Sequence, residues 1–278
     1  MGSSPPFSER KNVYQLPGMD DVEVEKDRPY KSIDGIELRF DLYRPPQSEP
    51  SHDLPAVVFV HGEGPPEVIK NSKDWGQYDG WGRLTALSGI VAVTFNHRSS
   101  HFFSRLSEPA SDVDDLLDLV FDPSTQLGIN PQRVGIWVCS GGTPFGMRAG
   151  LKRPVQCIAC YYGRLSLAPI RAEIEGGVSD EDFKEYSAAA RLGAMPTENV
   201  PPIFLAKAEM DDLPGVNESI DEAIDVAHAR KLPITVATHA KGVHGMDVRN
   251  DDDRAREIIA ETLAFFRRHL SVEETQEL

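Results

Sequence analysis

Four short stretches hold residue types that could carry out nucleophilic chemistry together. The first is Val134–Gly142, reading Val-Gly-Ile-Trp-Val-Cys-Ser-Gly-Gly. An apolar, strand-like run delivers Ser140 into two glycines, and a helix is expected from Thr143–Pro144 onward. A hydroxyl on such a strand-to-helix turn sits at a helix N-terminus, where free N–H groups and the helix dipole favour developing negative charge. The turn is sharp, so the residues two places either side of the serine should be small. Gly142 meets that demand and Val138 does not. Moving the nucleophile to Cys139 sets Trp137 in a small-residue position, so Ser140 is preferred. Alone, the stretch also fits an ordinary glycine-rich turn with a capping serine.

A serine nucleophile needs a base, a carboxylate to orient the base, and N–H donors for an oxyanion. His61-Gly62-Glu63-Gly64 follows the apolar run Ala56–Val60, and glycine lets backbone approach a substrate closely. The expected donors are the N–H of Gly141 and an N–H at Gly62 or Glu63. The Glu63 side chain must then point away from the oxyanion. Gly242-Val-His-Gly245 offers His244 as base, with His239 as its rival. Ala206–Pro214 begins where an apolar run ends and offers Asp211 or Asp212; Asp211 is favoured because it lies just past the strand. Each stretch also has a plain reading, as a strand-end turn, a loop histidine or a solvated acidic turn. Their order, Ser140, Asp211, His244, is the nucleophile–acid–base order of one hydrolase architecture. Trp75, Trp81 and His97 are candidates for a substrate pocket, with core or surface placement equally open for the aromatics.

These residues need a scaffold that brings strand ends together. The runs Ala56–Val60, Ile90–Phe95, Val134–Val138, Ile158–Tyr162, Ile203–Ala206 and Ile234–Thr238 are short, and most are unbroken and rich in β-branched residues. Such runs fit strands buried on both faces of a parallel sheet. Helix candidates alternate with them at Gly80–Ser88, Ser111–Phe121, Pro144–Leu151, Asn217–Arg230 and Asp252–His269, with Ser111 as an N-cap. Val22–Tyr30 and Ile36–Tyr43 flank an Asp34–Gly35 turn and form an antiparallel edge. The expected organisation is a flexible arm over 1–20, one α/β domain over 21–270 with a small cap at 163–200, and a polar tail over 271–278. Pro45–Asp53 reads as a loop.

Composition narrows the function classes. With 29 basic against 44 acidic residues in 278, the net charge is −15, which suits no polyanion partner. An apolar fraction of 40% supports a sizeable core. Cys139, Cys157 and Cys160 all lie in apolar runs, as reduced buried thiols do. Cys157 and Cys160 fall within one strand-like run, where positions i and i+3 face opposite ways, so no metal is expected there. No run approaches the roughly 18 apolar residues needed to span a bilayer, and the start lacks a secretory apolar region. The expectation is a soluble, cytoplasmic protein acting on a small-molecule acyl substrate, with no membrane or nucleic-acid partner and an open oligomeric state, a dimer included.

Taken together, His61–Gly64, Asn96-His97-Arg98, Val138–Gly142, the loop around Asp211 and Val243–Met246 resemble the α/β-hydrolase superfamily. The acidic helix with Asp112, Asp114 and Asp115 is a weaker match. The chain is similar to the branch holding dienelactone-hydrolase-like proteins, small esterases and acyl-peptide hydrolase domains, over residues 22–270. The resemblance implies the α/β-hydrolase fold: a mostly parallel central sheet of about eight strands with helices on both faces. It also implies an ester or related acyl substrate and no cofactor. Val138 and Glu63 depart from the family pattern, which keeps open a ligand-binding protein with weak or no turnover. A lactone or peptide hydrolase is the other alternative.

Overall fold

The runs of alternating face preference settle into one eight-stranded sheet in the computed structural model, which describes residues 5–48 and 53–272. Residues 1–4 of the expected arm, 49–52 of the expected loop and 273–278 of the expected tail lie outside the described residues. The strands are β1 (Val24–Ile33), β2 (Ile36–Tyr43), β3 (Leu54–Val60), β4 (Val91–Phe95), β5 (Ile129–Cys139), β6 (Cys157–Tyr161), β7 (Ile203–Ala208) and β8 (Ile234–His239). Their spatial order is β1-β2-β4-β3-β5-β6-β7-β8. β1 and β2 form an antiparallel hairpin, β2 is antiparallel to β4, and β3 to β8 run parallel. The hairpin closes at Asp34 and Gly35, both at positive φ, +50° and +78°, the two-residue turn whose twist matches its strands.

The helices are α1 (Pro66–Ile69), α2 (Gly76–Leu87), α3 (Ser107–Phe121), α4 (Thr143–Gly150), α5 (Asp180–Tyr186), α6 (Ala188–Ala194), α7 (Val216–Arg230), α8 (Met246–Arg249) and α9 (Asp253–His269). Strand side chains alternate between two cores. Val57, Phe59, Trp137, Cys157 and Ala159 pack with α2 and α9, whereas Val58, Val60, Ile136, Val138 and Cys160 pack with α3, α4, α6 and α7. Burial on both faces explains why the strands read as unbroken apolar runs. Cys157 and Cys160 consequently lie on opposite faces, and all three cysteines are free and buried. No helix among the described residues is long and apolar enough to cross a membrane.

Three expectations need correction. Ser111 does not cap α3, which starts at Ser107; Pro109 fits in the first turn, where its missing N–H is not needed, and the Ser111 hydroxyl accepts from Lys31 Nζ at 2.8 Å. The arm is fastened from Phe7 onward, whose ring meets that of Trp75 edge-on at 5.9 Å. Met19 and Val22 are buried, Asn12 is buried beside Asp247, and the Val13 N–H donates to the Asp247 carbonyl at 2.8 Å. The expected cap at 163–200 holds two short helices, α5 capped by the Ser179 hydroxyl and α6 beyond a break at Ser187. Arg148 on α4 ties this segment down through Glu185 at 2.6 Å, and none of residues 163–200 lines the cavity beside Ser140. That segment is packed flank, not a cap.

One ionic cluster pins the sheet edge to the turn before α2. The Lys73 ammonium, 2% exposed, reaches Asp27 at 2.8 Å, Asp41 at 2.9 Å and Asp74 at 2.8 Å, and the Asp41 side chain is wholly buried. Burial alone would lower the Lys73 pKa, but bonds to Asp27, Asp74 and Asp41 hold it above the ordinary value. Lys73→Met strands a buried carboxylate, so it should cost about 3–5 kcal/mol. The check is a lower urea midpoint with an unchanged slope; a midpoint equal to wild type would show that Asp41 finds solvent or a proton without penalty.

Candidate active site

β5 ends at Cys139, and the chain turns through Ser140 into α4 with Ser140 held at φ +51°. A non-glycine residue in the left-handed region is strained and persists where its surroundings fix it. The turn aims the Ser140 Oγ at His244 Nε2, 2.8 Å away. His244 comes from the loop between β8 and α8, and its Nδ1 stands 2.7 Å from Asp211 Oδ2. The Asp211 side chain is fully buried, and its Oδ1 accepts the Leu213 N–H at 3.0 Å. With Nδ1–H donating to the Asp211 carboxylate, the Nε2 lone pair faces the serine hydroxyl.

The rivals fall away on geometry. Asp212 is exposed and makes no bond to the imidazole. His239, at the end of β8, is bound to Asp252 at 2.9 Å. Cys139 is buried beneath the turn, 3.4 Å from the Tyr78 hydroxyl, and burial pushes its thiol pKa far up, away from a reactive thiolate.

Val138 is accommodated from the helix side. A Cβ at Gly146, on α4, would lie 2.5 Å from Val138 Cγ1, so a glycine there makes the room that a smaller residue at 138 would otherwise provide. The demand at Gly142 has a different source: a Cβ there would stand 2.0 Å from the His61 carbonyl oxygen, in the loop after β3.

That loop corrects the expected donors. The Gly62 N–H donates to Tyr78 Oη at 3.1 Å and is committed there. The Glu63 N–H has no acceptor among the described residues, and its nitrogen lies against Gly141, 3.2 Å from where a Cβ of Gly141 would be. The Glu63 carboxylate turns away, as anticipated: it accepts from Ser99 Oγ at 2.5 Å and from the Ser100 N–H and Oγ at 3.0 and 2.9 Å. The loop carrying those serines is anchored in turn by Arg98, paired with the buried Asp112 of α3 at 2.8 Å.

A cavity of about 330 Å³ opens beside Ser140 and His244. Trp75 lines it, as do Phe7 of the arm, Gln77, Tyr78, Tyr162 and Leu213. Trp81 does not. It is wholly buried in the α2 core, and its Nε1 donates to Asp247 Oδ2 at 2.8 Å. His97 is also absent from the wall. It lies stacked on His61, ring centres 3.6 Å apart, and donates its backbone N–H to His61 Nε2 at 3.2 Å. Sequence reasoning missed Gln77, Tyr162 and Asp247. The Tyr162 hydroxyl donates to Asp247 at 2.6 Å, and its ring meets that of His244 edge-on at 4.8 Å. Among the described residues, no group of acidic, histidine or cysteine side chains is placed to hold a metal ion.

No family model matches the chain, and no curated relative matches it. Solved structures do. Esterase 2 of the planctomycete Thermogutta terrifontis with propionate bound superposes with a TM-score of 0.71 at 17% identity, covering 94% of this chain and 98% of that one. The same enzyme phosphoramylated by tabun gives 0.70 at 17% identity with the same coverage. A mutant of the esterase rPPE gives 0.68 at 14% identity, covering 92% of this chain and 85% of that one. The chain therefore has the α/β-hydrolase fold, with the loops that carry Ser140, Asp211 and His244 at the C-terminal edge of the parallel strands.

The histidine under the elbow sets a pH dependence. Burial, then the neighbouring His97, holds the His61 pKa well below its ordinary value, so the folded state keeps it neutral. The unfolded chain takes up that proton below about pH 6.5, so stability is full above that pH and falls as pH drops. This group contributes a slope of up to about 1.4 kcal/mol per pH unit. In urea unfolding between pH 7 and pH 5, His61→Gln should flatten the slope by about one proton; an identical slope would place the titration elsewhere.

Proposed function

We propose that the protein is a serine hydrolase of carboxylic esters, with Ser140 as nucleophile, His244 as general base and acid, and Asp211 orienting the imidazole. The observation that carries this reading is the continuous relay of short hydrogen bonds from Ser140 Oγ through His244 to a buried Asp211. Ser140 Oγ attacks the ester carbonyl carbon while His244 Nε2 takes its proton, and the Asp211 carboxylate stabilises the imidazolium. The N–H groups of Gly141 and Glu63 receive the oxyanion. Collapse expels the alcohol with the proton from His244 and leaves an acyl-serine. His244 then deprotonates a water, which attacks the acyl carbonyl and frees Ser140. The small cavity favours short acyl chains, and the neighbouring esterase 2 structures with propionate and butyrate support that size class. Val138 and Glu63, the two residues that argue for a non-catalytic relative, are both accommodated without blocking the serine.

The test is p-nitrophenyl ester hydrolysis together with labelling by a fluorophosphonate. Wild type should label at Ser140 and prefer acetate to butanoate over octanoate. Ser140→Ala should lose labelling and lose at least about 10³-fold in kcat, and Asp211→Asn about 10³–10⁴-fold, whereas Asp212→Asn should stay near wild type. Wild-type rates in Ser140→Ala would overturn the assignment.

A further inference from the structure

We propose that the cavity beside Ser140 selects esters bearing a neutral hydrogen-bond donor, a hydroxyl or an amide N–H, which it recognises through the side-chain carbonyl of Gln77. The inference rests on Ser140 being the nucleophile and adds the substrate class.

The argument starts behind the cavity wall, at Asp247. Its carboxylate is completely buried. Oδ1 accepts the Tyr162 hydroxyl at 2.6 Å, and Oδ2 accepts Trp81 Nε1 at 2.8 Å, Gln77 Nε2 at 2.9 Å and Asn12 Nδ2 at 3.4 Å. Gln77 Nε2 also donates to Tyr162 Oη at 2.7 Å. An amide nitrogen carries two hydrogens, so both are committed. The amide cannot be turned over. Exchanging its ends would set Oε1 against a carboxylate oxygen and against a hydroxyl whose own proton already goes to Asp247.

Oε1 is therefore the end that remains. It has no donor among the described residues, and it is not among the side-chain atoms sealed from solvent without a partner. Gln77 is only 1% exposed, and it lines the cavity. The other polar side chains of the wall are engaged: Tyr162 Oη with Asp247, Tyr78 Oη with the Gly62 N–H, and Glu63 with Ser99 and Ser100. Phe7, Val68, Trp75 and Leu213 make much of the rest apolar. An apolar chamber with one held acceptor discriminates by leaving that acceptor dry and unmatched when the ligand lacks a donor.

The experiment compares kcat/KM for ester pairs matched in shape. On the acyl side, p-nitrophenyl 2- and 3-hydroxybutanoate are set against the 2- and 3-methylbutanoates, and the N-acetylglycine ester against the 4-oxopentanoate, which has CH₂ in place of N–H. On the alcohol side, 2-hydroxyethyl butanoate is set against propyl butanoate. Wild type should favour the donor-bearing member of at least one pair by about tenfold, the scale of one hydrogen bond. Gln77→Met removes the acceptor and should bring that ratio to near one. Gln77→Leu is the second variant, with the same expected ratio, and fluorophosphonate labelling at Ser140 shows that each variant is folded. Ratios within twofold of one for every wild-type pair would overturn the inference, as would a preference that survives in either Gln77 variant. Loss of all ester hydrolysis and of Ser140 labelling in wild type would instead overturn the hydrolase reading on which it rests.

Discussion

β3 and β5 are neighbours in register, Val60 opposite Val138, so the chain leaves both strands at the same level and must turn twice in one small space. Much of the site follows from that crowding. The His61 carbonyl comes so close to residue 142 that only glycine fits there, and Ser140 is confined to a left-handed conformation at the end of β5. A strained residue needs surroundings that leave it no alternative. Here the surroundings are themselves braced. Tyr78 holds the Gly62 N–H, Ser99 and Ser100 hold Glu63, and Arg98 ties their loop to the buried Asp112 of α3. The face of β5 opposite Trp137 needs one further concession, Gly146, which lets Val138 keep its side chain.

What sequence alone made legible is what depends on local pattern. Unbroken apolar runs gave the parallel strands within a few residues, since burial on both faces leaves a run with no polar gaps. The loops carrying Ser140, Asp211 and His244 were legible because each follows a strand, and strand ends of a parallel sheet share one edge. Illegible were relations that cross the fold. Nothing local distinguishes Trp75, on the cavity wall, from Trp81, six residues on and in the core. His97 looked like a pocket residue, yet it stacks on His61 in the loop after β3. Gly62 reads as a donor until Tyr78, on another element, takes its N–H. The arm looked loose because it is polar and Pro-rich, and its attachment is to a carboxylate more than two hundred residues away.

Asp247 shows why that last class matters. In a chain with 44 acidic residues it has no distinguishing sequence signal, three places past His244. Burial raises its pKa, against the opposing bonds from Tyr162, Gln77 and Trp81. A buried charge is a poor source of net stability, but a satisfied one admits few alternative arrangements. This one joins the arm, α2, the end of β6 and α8 at a single point.

The histidine is consequently located from two directions with different chemistry. Asp211 fixes one ring nitrogen by a hydrogen bond, which sets the tautomer and leaves the other nitrogen for Ser140. Tyr162 meets the same ring edge-on, and Tyr162 itself sits at φ +36° with its hydroxyl on Asp247. A hydrogen bond alone leaves the imidazole free to rock about the Nδ1–carboxylate axis. A packed ring held from behind removes that freedom. The division is physically sensible under the proposed mechanism, in which the imidazole gains and loses a proton: the carboxylate responds strongly to that change, while the ring packs against both charge states and favours the cation modestly.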